Sequence, residues 1–123
     1  MTTPRLFLLF GVLCLLTGMS WGIHMSIQQN FSLAPAHAHL NLIGFVLSTL
    51  FGLYYAVTPA AGGSGLARLH LGIHAAAVVI MVPGIVTAIR EQGEIAAIVG
   101  SLLAVLSALT FLVQLLRYAP GRG

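Results

Sequence analysis

Residues 36–57 read AHAHLNLIGFVLSTLFGLYYAV, and this stretch decides the fold. It contains no Lys, Arg, Asp or Glu. At ~1.5 Å rise per residue, a helix of this length crosses the ~30 Å hydrocarbon core of a bilayer. Its apolar residues run together instead of alternating, which excludes the pattern of a membrane β-barrel. Two imidazoles, His37 and His39, stand at its start. Ionisable or ligating side chains at membrane depth are costly, which marks them as functional candidates.

Working outward, three more apolar stretches flank this one, at residues 6–27, 69–89 and 95–116. Short polar or Gly/Pro breaks separate them. The expected architecture is an all-α membrane protein, a single four-helix transmembrane domain over residues 1–123. The composition agrees. The chain is 59% hydrophobic and 6% charged, with a mean hydropathy of +1.03. A soluble domain carries roughly 25% charged residues, so this chain lacks the polar surface for water and its partner is membrane lipid. Nucleic acid is excluded as a partner, because five arginines spread along the chain make no phosphate-binding patch. The first stretch is expected to persist as a helix: it is long for a signal sequence and no Ala-x-Ala-like site follows. Cys14, the single cysteine, has no disulfide partner within the chain.

An even number of spans places both termini and the 58–68 connection on one side. That side holds Arg5, Arg68, Arg117 and Arg122, and the other holds Arg90, Glu91 and Glu94. The positive-inside rule puts both termini in the cytoplasm of a bacterial-type plasma membrane. Trp21 then falls near the outer interface, and Tyr54, Tyr55 and Tyr118 near the inner one, as aromatic belts. Small residues recur at packing intervals: Gly18 and Gly22, then Gly44, Ser48 and Gly52, then Gly100, Ala104 and Ala108. Such grooves bring helices close in lipid, either inside the bundle or between subunits. Pro83-Gly84 is expected to kink the third helix. Gly62-Gly63-Ser64-Gly65 reads as a flexible turn.

Five histidines carry the chemistry: His24, His37, His39, His70 and His74. At ~100° per residue, His37 and His39 point to nearly opposite sides of their helix. A neutral imidazole binds heme iron, copper or zinc through one nitrogen while the other donates a hydrogen bond. Asn41 lies one turn from His37 on the same face, where it serves as a hydrogen-bond partner for the ring or as packing glue. His70 and His74 have i, i+4 spacing, which fits two metal ligands on one helix face and equally fits interhelical hydrogen bonds. No paired carboxylates, phosphate loop or nucleophile elbow is present. Three readings stay open: a b-type heme protein, a copper- or zinc-binding membrane protein, and an accessory subunit without cofactor.

His37-Ala38-His39-Leu40-Asn41-Leu42-Ile43-Gly44-Phe45, Ala67-Arg68-Leu69-His70-Leu71 and Pro83-Gly84 together resemble the last third of the heme–copper oxidase catalytic subunit. That superfamily includes cytochrome oxidases and nitric oxide reductases. The resemblance covers residues 36–89. It implies His37 and His39 as axial ligands of heme b, since the family's His-x-His motif ligates a high-spin and a low-spin heme. It implies no ligand role for His70. The family subunit has three such four-helix thirds, and this chain corresponds to one. The family's copper ligands have no counterpart here, so full oxygen or nitric oxide reduction is not implied. A homotrimer would rebuild twelve helices, with heme at subunit interfaces, a redox partner, and Arg90 beside the propionates.

Overall fold

The structure, a computed structural model, describes residues 1–120. Arg122, part of the charge asymmetry above, lies outside them. Among the described residues, four helices are long and apolar enough to cross a membrane: α1 Thr3–Gln28, α2 Ala34–Val57, α3 Gly65–Ile89 and α4 Ile95–Arg117. Such a chain is compatible with a multi-pass membrane protein. Exposed Leu13, Leu16, Ile23, Leu50, Val79 and Leu102 ring the outside, which suits lipid and would not suit water.

Local chemistry sets the helix ends. Pro4 opens α1, where its missing N–H is one the first turn leaves unpaired anyway. At the other end Gln29 adopts a left-handed φ of 50° and returns its N–H to Met25 and Ser26 carbonyls. Beyond α2, residues Pro59–Gly62 form one helical turn. The glycine-rich connection after it is tied down rather than loose. Ser64 Oγ caps α3 by accepting from the Ala67 N–H at 3.1 Å, donates to the Ala61 carbonyl at 2.6 Å, and accepts from Gln114 Nε2 at 3.0 Å. Ser64→Ala removes the cap, worth ~1 kcal/mol, and strands the buried Gln114 amide. A loss of roughly 2–3 kcal/mol is expected in detergent–SDS unfolding titrations.

Glycines set the helix spacings. On α1, Gly11 faces Ser48 and Thr49, Gly18 faces Asn41, and Gly22 faces the His37 ring. On α2, Gly44 rests on Cys14 and Gly52 on Phe7 and Leu8. Between α3 and α4, Gly84 meets Ala96 and Ala97, and a Cβ at Gly100 would stand 2.5 Å from Met81 Cα. These small-residue grooves are thus filled within the chain. α3 runs unbroken through Pro83.

α1 and α2 form one closely packed pair, α3 and α4 the other, and α2 and α3 join them. Phe7, Phe51, Tyr54, Tyr55, Ala61 and Ala67 form the core at the end carrying the termini. Cys14, Ala36, Leu40, Val78 and Val82 form a second core toward the opposite, distal end. Tyr54 and Tyr55 therefore do not form an interfacial belt. They are buried, because their hydroxyls find partners inside: Tyr54 donates to the Gln114 and Tyr118 carbonyls at 3.1 and 2.9 Å.

Within α2, residues Leu40–Leu47 form a π-helical segment. Such segments are rare, add a residue to a turn, disturb the regular carbonyl ladder, and recur at functional sites. Nothing in the sequence announces it.

Candidate functional site

The distal tip of α2 carries His37 and His39, and the structure treats them differently. His39 is exposed, and its Nδ1 lies 2.7 Å from the Pro35 carbonyl. A carbonyl only accepts, so Nδ1 carries the proton and Nε2 keeps its lone pair. The carbonyl holds one ring N–H, which fixes the tautomer and orients the other nitrogen, as is common for histidines that ligate metals. Pro35 sits in the first turn of α2, one turn before His39, so the helix itself supplies the brace.

His37 turns inward. Its ring lies against Gly22, with the Trp21 ring edge-on at 6.3 Å between centroids. Nε2 is 3.3 Å from Asn41 Nδ2. Nδ1 is buried without a hydrogen-bond partner, as is Asn41 Oδ1. The α1–α2 contact closes over this ring. The opposite-face expectation holds for the two imidazoles, and the face turned to α1 is that of His37.

Arg90 is exposed at the distal end of α3. With Trp21, His24, Gln28 and Asn30 it lines a cleft of about 650 Å³. Because Trp21 also packs on His37, this cleft opens on the His37 side of α2, away from His39.

His70 and His74 lie at the heart of the bundle, 0% and 1% exposed. Every ring nitrogen is engaged. Tyr55 Oη is 2.7 Å from His70 Nδ1, and His70 Nε2 is 3.0 Å from Ser107 Oγ. Ser107 Oγ is 2.9 Å from His74 Nδ1. His74 Nε2 reaches the Ile43 carbonyl at 3.0 Å and Ser48 Oγ at 3.1 Å. The two rings thus spend their i, i+4 spacing on interhelical hydrogen bonds, and no nitrogen is left for a metal. Among the described residues, no group of three or more His, Cys, Asp or Glu side chains gathers to hold a metal ion.

Ile43 lies in the π segment, and its carbonyl accepts from His74. Tyr55, Ser48, Ser107 and Ile43 were not foreseen as partners. Two of them, Ser48 and Ser107, are polar residues inside apolar spans, and that was the signal available. Compared with family models, curated proteins and solved structures, the chain matches none.

Proposed function

We propose that the chain is a small b-type heme protein of a bacterial-type plasma membrane, with both termini cytoplasmic and His39 as an axial ligand at a subunit interface. The observation that carries this reading is the Pro35-braced ring of His39, an exposed residue whose Nε2 is left free. Bound heme supplies one-electron redox chemistry or gas binding at its iron.

The residues fit a shared site better than a site within one chain. His39 is exposed in the single chain, so a neighbouring copy would be needed to enclose a heme bound to it. A closed ring of subunits presents the same two patches to each other at every interface, and a trimer restores twelve helices. In such a ring Arg90 of a neighbouring copy is the distal-end base available for a propionate. His37 serves this tip from inside, through Asn41, Trp21 and Gly22. The exposed apolar faces of α4 supply area for contact with lipid or with neighbours.

The test is the visible spectrum of the full chain, purified in detergent from heme-sufficient cells and recorded with and without carbon monoxide. Sharp reduced b-type bands are expected. Insensitivity to carbon monoxide indicates two histidine ligands, and a shifted Soret band indicates one. Protein that stays colourless but carries stoichiometric copper or zinc overturns the heme reading in favour of a non-heme metal protein. Protein with neither supports an accessory role.

A further inference from the structure

The chain of contacts through the bundle has a direction, and that direction follows from elementary valence. The Ile43 carbonyl only accepts, so His74 Nε2 carries a proton. In the neutral ring His74 Nδ1 then accepts, and Ser107 donates to it. Ser107 has one proton, so its oxygen accepts from His70 Nε2–H. His70 Nδ1 accepts in turn, and Tyr55 donates. Every link is determined: Tyr55 O–H to His70, His70 N–H to Ser107, Ser107 O–H to His74, and His74 N–H to Ile43 and Ser48.

We infer that this file of Tyr55, His70, Ser107 and His74 is a proton relay, leading from the termini end of the bundle into the middle of the membrane. Each imidazole can accept a proton at one nitrogen and release one from the other, and each hydroxyl can take up one proton and release another at its single oxygen. A proton arriving from water on the Tyr55 oxygen releases the Tyr55 proton to His70 Nδ1. His70 passes its Nε2 proton to Ser107, and Ser107 passes its own to His74 Nδ1. The net result is one proton lost from water and one imidazolium formed at His74. No other bond changes. Rotation of the two hydroxyls and return of the tautomers reset the file.

Two further features fit this role. A depression of about 570 Å³ at the termini end has Tyr55 in its lining together with Thr2, Thr3, Pro59, Gly62 and Arg68. Tyr55 is itself buried with its hydroxyl turned to His70, so water stands beside the residue and the last step to its oxygen passes through packing. His70 and His74 stand one turn apart on α3, ~6 Å at 1.5 Å per residue, so the file carries a proton one helical turn deeper than its first ring. The file is otherwise dry. α1 presents Phe7 to both rings, α2 presents Phe51, and α4 presents Phe111 to His70. The two acids, Glu91 and Glu94, lie in the distal loop, and Arg68 is a base that lines the depression. Phe51 and Phe7, 5.0 and 6.0 Å from His74 between centroids, are within cation–π reach of an imidazolium. This relay stands apart from the heme site and does not depend on it.

The test is exchange of the histidine ring N–H protons with water, measured by nitrogen-15 NMR on the full chain in bilayers. His70 and His74 ring protons are expected to exchange at least a hundredfold faster than the backbone amides around Val78. Tyr55→Phe should slow both rings at least tenfold. Ser107→Ala should slow both rings as well, because the His70 ring proton sits on Nε2 and leaves through the Ser107 oxygen. Backbone amide protection in the same spectra reports whether each variant keeps its fold, and the Ser107→Ala result stands without Tyr55→Phe. Ring protons as persistent as the neighbouring amides, or a His74 rate unmoved in Ser107→Ala, overturn the relay and leave the file as structural hydrogen bonding.

Discussion

His39→Ala is expected to yield folded, colourless protein, with heme content below a tenth of the parent chain. His37→Ala is expected to keep most of its pigment. The contrast follows from the two rings' surroundings. His39 has one nitrogen braced by Pro35 and the other free, so its removal takes away the ligand and little packing. His37 sits inside the α1–α2 contact against Gly22 and Trp21, so its removal leaves a void there. A moderate loss of stability is the expected penalty for His37→Ala, together with a shifted reduction potential if the tip of α2 relaxes. Heme quantified per chain by its pyridine adduct reads the first effect, and SDS unfolding reads the second. Equal heme loss in both variants would assign iron ligation to both imidazoles and require α1 to move aside at Gly22.

The second large effect is at the seam between α3 and α4. Gly100→Val should unfold this half of the bundle at far lower SDS, with a loss of roughly 3 kcal/mol or more. At this point a Cβ meets the backbone of Met81, and backbone cannot swing aside as a side chain can. Neighbouring Gly84 makes the reciprocal approach to Ala96 and Ala97, so the two helices have no slack nearby. Gly72→Ala is the matched control. It lies in α3 with nothing within 4 Å of its would-be Cβ, and is expected to be neutral or to gain ~0.5–1 kcal/mol of helix propensity. Similar destabilisation in both variants would show that helix propensity, and not close approach, sets the effect.

Much of the fold could be read from the chain. Uncharged runs of ~20 residues demand helices in lipid, and the spans expected at 6–27, 36–57, 69–89 and 95–116 end within a few residues of those observed. The helix starts were harder. Residues 65–68 extend α3 because Ser64 caps it, and a cap depends on one hydroxyl that hydropathy does not weigh. The tyrosines were misplaced for a related reason. Hydropathy locates a residue in depth but does not say which face of its helix it occupies, and Tyr54 and Tyr55 face inward. Likewise, i and i+2 spacing separates His37 from His39 by angle, while only tertiary packing tells which one meets α1. The His70–His74 pair was visible at once. Its partners come from α2 and α4, so no local spacing links them.

The π segment at Leu40–Leu47 bears on all of this in one more way. An extra residue in a turn inserts a phase step of up to ~100° between the two halves of the helix. The histidine tip and the Ser48–Tyr55 half of α2 are therefore clocked independently. Their angular settings are joined at an offset that a uniform α-helix would forbid. The bundle can aim His39 at whatever lies outside while keeping Ser48 and Tyr55 trained on the interior.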